Sequence, residues 1–511
     1  MNTFMNQLKN SANYGHTENG AVKRVTTNSA VYDMFALGSA YRSRSDADCI
    51  LLFKNAYEED ETLALKCLFY IRDCRGGQGE RRFFRVCMRW LAENHPERAA
   101  ALAEYIPEYG RYDDWFKIYF NTPVEKQVME MMKKQLSVDM FCKKNAVSLL
   151  AKWMPSENAS SKETIRTAKK IRNAFGVSAK EYRQMLSKLR TKINVLEKLM
   201  SANRWDEIEF DKIPSKAGLV YKNAFARRDI IAKKYEKFAK SKSTKVNAST
   251  LYPYEVVAKA LEYERQRRWN RLNRLSPTAE TDRAMINKYW ENLPDYLNGK
   301  DCSMMCVVDT SGSMVRKDAA APINVAISLG MYCAERIGGP FKNHYISFSS
   351  IPQLIKTEGI DFVDKVSRIY YTNLCDNTNL EAVFDLLLAT AKKPGVSAWD
   401  IPKTIVVISD MEIDQGTGSY WRASYGKRWT KNSASTEMEK IRKKWAAAGL
   451  QMPKLVYWNV DARHNTILDS GPNVTFVSGM SPVIFKQVLT GKTGWELCLE
   501  TICSKRYEVI K

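Results

Sequence analysis

Ser303-Met-Met-Cys-Val-Val-Asp309-Thr-Ser-Gly-Ser313 decides the fold of the C-terminal half. Its apolar run is short, contains two valines and ends at a carboxylate, the pattern of a strand buried on both faces. The same kind of run recurs at HYISF (344–348), KTIVVIS (403–409) and KLVYWNV (454–460), with helical stretches at 317–337, 378–392 and 435–448 between them. Strands alternating with helices predict a doubly wound parallel sheet with helices on both faces. In such a sheet ligands sit outside the carboxyl ends of the strands. Asp309 ends one strand and Asp410 follows Ser409 at the end of another, so both carboxylates are expected in one crevice. Ser311 and Ser313 alternate on the turn after Asp309, and Gly312 is expected to let the chain bend there. Thr378, in CDNTNL before a helix, is a further candidate. Carboxylates with hydroxyls make a hard oxygen donor set suited to Mg²⁺ or Mn²⁺. The plainer reading is that the two serines merely cap the next helix.

A strand, then DxSxS, then a helix, with a downstream Thr and a strand ending in Ser-Asp, resembles the metal-ion-dependent adhesion site (MIDAS) of von Willebrand factor A domains. The resemblance covers residues 301–511. It implies Asp309, Ser311, Ser313, Thr378 and Asp410 as metal ligands, with one coordination position left for an oxygen of a partner. Families of this kind often place Gly around the Thr, where this chain has Asn377 and Asn379. The resemblance implies binding, not catalysis, and no general base or nucleophile reads as poised nearby, so an enzyme is not expected. Glu412 and Asp414 could form a paired-carboxylate nuclease site with Asp410, but read better as polar loop residues beside the cation.

Upstream of 295 the chain reads as helices of ordinary length with short gaps. Helices are expected at 46–57 with Ser45 as N-cap, 60–74 stopping at Gly76-Gly77, 80–94, after Pro96, at 111–120 and twice within 123–152. Short connections between amphipathic helices make antiparallel pairs, and a succession of pairs predicts an α-helical HEAT-like repeat solenoid, with a compact bundle as the alternative. The domains are therefore 1–295, helical, and 301–511, α/β. RGGQG (75–79) follows a helix rather than a strand, which argues against a dinucleotide fingerprint.

The 511 residues carry 79 Lys+Arg and 57 Asp+Glu, a net charge of +22. Residues 161–275 hold 29 Lys+Arg and 12 Asp+Glu, hence +17, leaving +5 for the rest. A basic segment of this kind favours a polyanion. The candidate phosphate contacts are Lys169, Lys170, Arg172, Arg183, Lys188, Arg190, Arg227, Arg228, Lys233, Lys234, Arg265, Arg267, Arg268, Arg271 and Arg274. Phe175, Tyr182, Tyr221, Phe225, Tyr235 and Trp269 interleave them, either as stacking platforms or as core. A second basic set, Arg72, Arg75, Arg81, Arg82, Arg85 and Arg89, contains a ridge at four-residue spacing. That ridge could face phosphate or pair with Asp113 and Asp114. Eleven cysteines, an odd number without CxxC pairs, read as free thiols of a reducing cytoplasm, and neither a secretory signal nor a membrane span is expected.

A helical-repeat part followed by an A domain resembles the Ro autoantigen family, which joins a TROVE module to a von Willebrand factor A domain. IRDCRGGQGERRFFR (71–85) and EYGRYDDW (108–115) also resemble a related, largely uncharacterised family of viral, plant and fungal proteins. The resemblance implies a cytoplasmic, monomeric ribonucleoprotein component that holds small structured or misfolded non-coding RNA. The A domain would bind Mg²⁺ (or Mn²⁺) and an acidic protein partner. The competing expectation is a protein-interaction adaptor that uses the metal site to bind a partner carboxylate.

Overall fold

The computed structural model describes residues 13–17, 22–143, 146–193, 195–269, 278–349, 351–372, 378–413, 437–468 and 473–511. A short antiparallel ladder, β1 (Gly15–His16) with β2 (Val22–Lys23), precedes the helices. The first helices are α1 (Ala30–Leu37), α2 (Asp46–Glu59), α3 (Glu61–Arg72), α4 (Arg82–Asn94), α5 (Pro96–Leu102), α6 (Ile106–Tyr109), α7 (Asp113–Tyr119) and α8 (Glu125–Phe141). They continue as α9 (Leu150–Trp153), α10 (Lys162–Phe175), α11 (Ala179–Lys192), α12 (Leu196–Ser201), α13 (Ser215–Ala226), α14 (Asp229–Lys240), α15 (Pro253–Trp269) and α16 (Ala279–Glu291).

Local chemistry explains their ends. Ser45 caps α2 in a reciprocal capping box with Asp48, and Asp60 caps α3 through the Leu63 amide. On α4 the residues Phe83, Phe84, Cys87, Met88 and Leu91 are buried. The expected stop of α3 at Gly76-Gly77 is corrected: α3 ends at Arg72, with Asp73 as its C-cap. The glycines serve close approach instead, because a Cβ at Gly77 would stand 2.1 Å from the Tyr70 carbonyl oxygen.

The α/β half contains β3 (Met304–Asp309), α17 (Pro322–Arg336), β4 (His344–Phe348), β5 (Leu354–Lys356), α18 (Phe362–Thr372), α19 (Leu380–Ala391) and β6 (Thr404–Ser409). Then follow α20 (Glu437–Ala447), β7 (Lys454–Asn459), β8 (Val474–Ser478), α21 (Val483–Val488) and α22 (Gly494–Ile502). The sheet order is β5-β4-β3-β6-β7-β8, parallel except for β5, which pairs antiparallel with β4. The four expected strands, β3, β4, β6 and β7, run parallel, and the antiparallel β5 at the edge makes the six-stranded sheet mixed. All six residues of β3 are buried, as its unbroken apolar run requires. From β3 the chain moves to β4 on one side, and from β6 to β7 on the other. The ends of β3 and β6 therefore flank a topological switch point.

The α/β half touches both ends of the helical array. On one side α1 packs on β8, where the Phe476 amide donates to Tyr32 Oη at 3.0 Å. On the other, α15 packs against α17 and α18. The array also returns to its own start: Tyr252 Oη donates to the Gln78 carbonyl at 3.1 Å, and Tyr254 hydrogen-bonds Arg42. Among the described residues no helix is long and apolar enough to cross a membrane.

Candidate cation site and basic cavity

Asp309 and Asp410 lie at the switch point, both fully buried. Asp309 Oδ1 accepts the Ser311 amide at 2.9 Å, and Oδ2 accepts Ser409 Oγ at 2.6 Å. Ser311 Oγ and Ser313 Oγ are 3.1 Å apart. Thr378 Oγ1 is buried and donates to the Glu412 carbonyl at 3.3 Å. Hydrogen bonds therefore tie Ser311 and Ser409 to Asp309 and set Ser313 beside Ser311, while Thr378 and Asp410 are each bonded to the backbone of Glu412. Burial first, and then the neighbouring charge of Asp410, push the Asp309 carboxyl well above the usual carboxylate range. Two buried carboxylates with hydroxyls at hand are a donor set that fits a hard divalent cation. Among the described residues no group of three or more His, Cys, Asp or Glu gathers for a metal, so a cation here rests on two carboxylates and hydroxyls.

Three details were not legible in advance. Gly312 does not adopt a left-handed backbone and has open space where a Cβ would stand, so the expected need for glycine is corrected. The serines do not cap a helix of 317–337 either: a 3₁₀ turn, Gly312–Met314, follows Ser311, and α17 starts only at Pro322. Met411, which follows Asp410, is buried at φ 65°, a left-handed conformation that a side chain disfavours.

The crevice also holds residues with no motif. Arg463 Nη2 donates to Asp410 Oδ2 at 2.8 Å, and His464 Nδ1 lies 3.2 Å from Glu412 Oε1. Arg316 pairs with Asp461. Glu412 is buried on this side of the sheet, whereas Asp414 lies outside the described residues.

The second feature is a cavity of about 2300 Å³ whose lining, among the described residues, runs from Arg42 to Tyr254. Among the described residues, thirteen Lys and Arg line it against six Asp and Glu. Arg72 and Arg85 bind Asp114, Arg85 and Arg111 bind Asp113, and Arg111 lies 4.0 Å over the Trp153 ring. Arg81, Lys134 and Arg183 line the cavity with no ion pair among the described residues. Burial, and then the charges of Arg111, Arg85 and Arg72, push the Arg81 guanidinium below its ordinary value. The four-spaced ridge thus divides: Arg85 pairs with aspartates, Arg89 with Glu93, and Arg81 faces the cavity.

Of the fifteen candidate phosphate contacts, Arg183 and Arg190 line this cavity. Arg190 donates to the carbonyls of Ala151 and Met154. Lys170 pairs with Glu125, Arg172 with Glu157 and Arg267 with Glu264. Lys234 donates to the carbonyls of Asp206 and Ile208. Arg228 lies over Trp205 and Arg268 over Tyr371. Lys169, Lys188, Arg227, Lys233 and Arg265 are exposed away from the cavity lining. Arg271 and Arg274 lie outside the described residues. Phe175, Tyr182, Phe225 and Tyr235 are core residues, whereas Trp269 is exposed.

Two family models match this chain. Residues 303–505 match one described as "Domain of unknown function (DUF7788)". Residues 17–109 and 157–301 match "Domain of unknown function (DUF2828)". The chain is 28% identical over 523 residues to Uncharacterized protein L728 of Acanthamoeba polyphaga mimivirus, covering 94% of this chain and 85% of that protein. The crystal structure of the Deinococcus radiodurans Ro (RSR) protein is similar with a TM-score of 0.46 and 13% identity, over 91% of this chain and 100% of that one.

Proposed function

We propose that the protein binds RNA in the basic cavity of its helical half and a divalent cation at the carboxyl ends of β3 and β6. The observation that carries the RNA reading is the cavity lining, which among the described residues sets thirteen cationic side chains against six anionic ones and leaves Arg81, Lys134 and Arg183 without an ion pair. A concave surface with uncompensated guanidinium and ammonium groups attracts phosphate and gains affinity by releasing counterions. The resemblance to the Ro family supports small structured or misfolded non-coding RNA as the ligand. It likewise supports a HEAT-like reading of the helical array and a von Willebrand factor A reading of the sheet. The cation reading rests on Asp309, Ser311, Ser313, Thr378 and Asp410 around one crevice, and Mg²⁺ or Mn²⁺ suits them. Bound there, the cation would supply an exchangeable coordination position for a partner oxygen. The function is binding, and the location that goes with it is the cytoplasm.

The test is affinity for single-stranded and hairpin RNA against salt. Log affinity is expected to fall linearly with log salt, and Arg81→Gln with Lys134→Glu and Arg183→Glu should lower the slope by about 0.7 per lost phosphate contact. A flat salt response, or a triple variant that binds like the parent, refutes the reading. Exposed Lys169→Glu with Lys233→Glu, outside the cavity lining, is the control.

A further inference from the structure

Asp410 is a proposed cation ligand, yet a guanidinium of this same chain already binds it. Arg463 Nη2 donates to Asp410 Oδ2 at 2.8 Å, with the carboxylate fully buried. The other carboxylates of the crevice have their own partners: Asp461 pairs with Arg316, and Glu412 lies against His464. Asp309 accepts the Ser311 amide and hydroxyl and the Ser409 hydroxyl, and among the described residues it has no ion pair. Among the described residues, Arg463 is thus the guanidinium paired with a carboxylate of the switch point.

Arg463 also belongs to a loop held by the opposite half of the molecule. The Ala462 amide donates to the Ala40 carbonyl at 3.0 Å, and Arg44 Nη1 donates to the Arg463 carbonyl at 2.7 Å. Ser43 Oγ donates to Asp461 Oδ1 at 3.0 Å, and Lys23 Nζ to Thr466 Oγ1 at 2.8 Å. Between Tyr41 and Ser43 sits Arg42, which lines the basic cavity and pairs with Glu80.

We propose that Arg463 is the internal counter-ion of the cation site, competing with a divalent cation for Asp410, and that the 461–467 loop carries the outcome to residues 40–44 beside the cavity. This rests on the cation reading given above. A divalent ion and a guanidinium cannot both lie against one buried carboxylate without strong repulsion, so each lowers the affinity of the other. Displacing Arg463 from Asp410 breaks one bond of a loop whose backbone is bonded to Ala40 and Arg44. The cation site and the RNA cavity, on different halves of the chain, are then linked by a charge exchange.

The experiment is Mn²⁺ titration by calorimetry on the full chain, with Arg463→Gln and Arg463→Lys beside the parent and Asp309→Ala as the control that removes the site. Arg463→Gln is expected to bind Mn²⁺ about tenfold more tightly than the parent, and Arg463→Lys, which keeps the charge, to stay near it. Equal or weaker binding by Arg463→Gln overturns the competition while leaving the cation site standing. Absence of Mn²⁺ binding in the parent and in Arg463→Gln overturns the site as well. Hydrogen exchange on the unaltered protein gives a readout that survives a misfolded variant. Mn²⁺ should speed exchange of the amides of 462–465 and 40–44, and unchanged exchange at both overturns the proposal.

Discussion

Asp114 accepts Arg72 Nη2 at 2.7 Å on one oxygen and Arg85 Nε at 2.6 Å on the other, with no part of it exposed. Arg72 itself is 1% exposed, so the pair persists only because each charge answers the other. Asp114→Ala leaves Arg72 buried and unpaired, and is expected to cost about 3–5 kcal/mol of unfolding free energy, read by urea titration. Replacing both partners by apolar residues should cost far less, because no charge is then left without an answer. The sequence left this ridge open between phosphate and carboxylate. Four-residue spacing places Arg81, Arg85 and Arg89 on one face, but only the packing of α7 against α4 decides which meets an aspartate. The DxSxS turn was readable because its donors are close in the chain. Arg463 was not, because a lone arginine in a loop carries no pattern until β6 and β7 bring it beside Asp410.

Among the elements, the turn from Asp73 to Glu80 shows most directly what sequence periodicity misses. Its glycines read as a helix stop, yet Asp73 ends the helix, and the turn together with the last residues of α3 is the meeting place of three distant segments. Arg506 and Tyr507 bind Asp73, Gln487 bonds Tyr70, and Tyr252 donates to Gln78. Gly79 has φ 67°, and a Cβ there would stand 1.8 Å from Tyr252 Oη. Gly79→Ala therefore meets two costs, a left-handed backbone of about 1–2 kcal/mol and a clash with the segment that closes the array. Tyr252→Phe removes the clashing hydroxyl and not the backbone cost. The two changes should accordingly couple by roughly 0.5–3 kcal/mol in a double-mutant cycle followed by thermal unfolding. Strict additivity would mean that Tyr252 does not press on this turn. The strands show the same limit: β3, β4, β6 and β7 were legible as apolar runs, whereas β5 is short and partly exposed and β8, VTFVS, is interrupted by a threonine that packs internally.

At the scale of the whole molecule, the two halves are joined by polar contacts that no local pattern announces. Arg283 of α16 donates to both oxygens of Asp361, just before α18, at 2.7 Å each, and Asn287 Nδ2 adds a third bond at 2.7 Å. Beside them Trp290 stacks on Phe362 with ring centroids 4.2 Å apart. Burial alone would raise the Asp361 carboxyl, but the Arg283 guanidinium, the Asp364 amide and Asn287 bring it below the ordinary value. A carboxyl depressed by folding contributes stability above its unfolded value of about 3.9, and that contribution disappears as pH falls through the lower folded value. Asp361→Asn keeps the shape and removes the charge, so it should cost about 1–2 kcal/mol near neutrality, the partial exposure of the pair holding the figure down. The gap between Asp361→Asn and the parent should then narrow steadily once pH drops below about 4, as protonation makes the parent resemble the variant. Denaturant titrations of both proteins across that range give the test. A gap that stays constant with pH would mean that Asp361 joins the halves by shape and hydrogen bonding alone, without its charge.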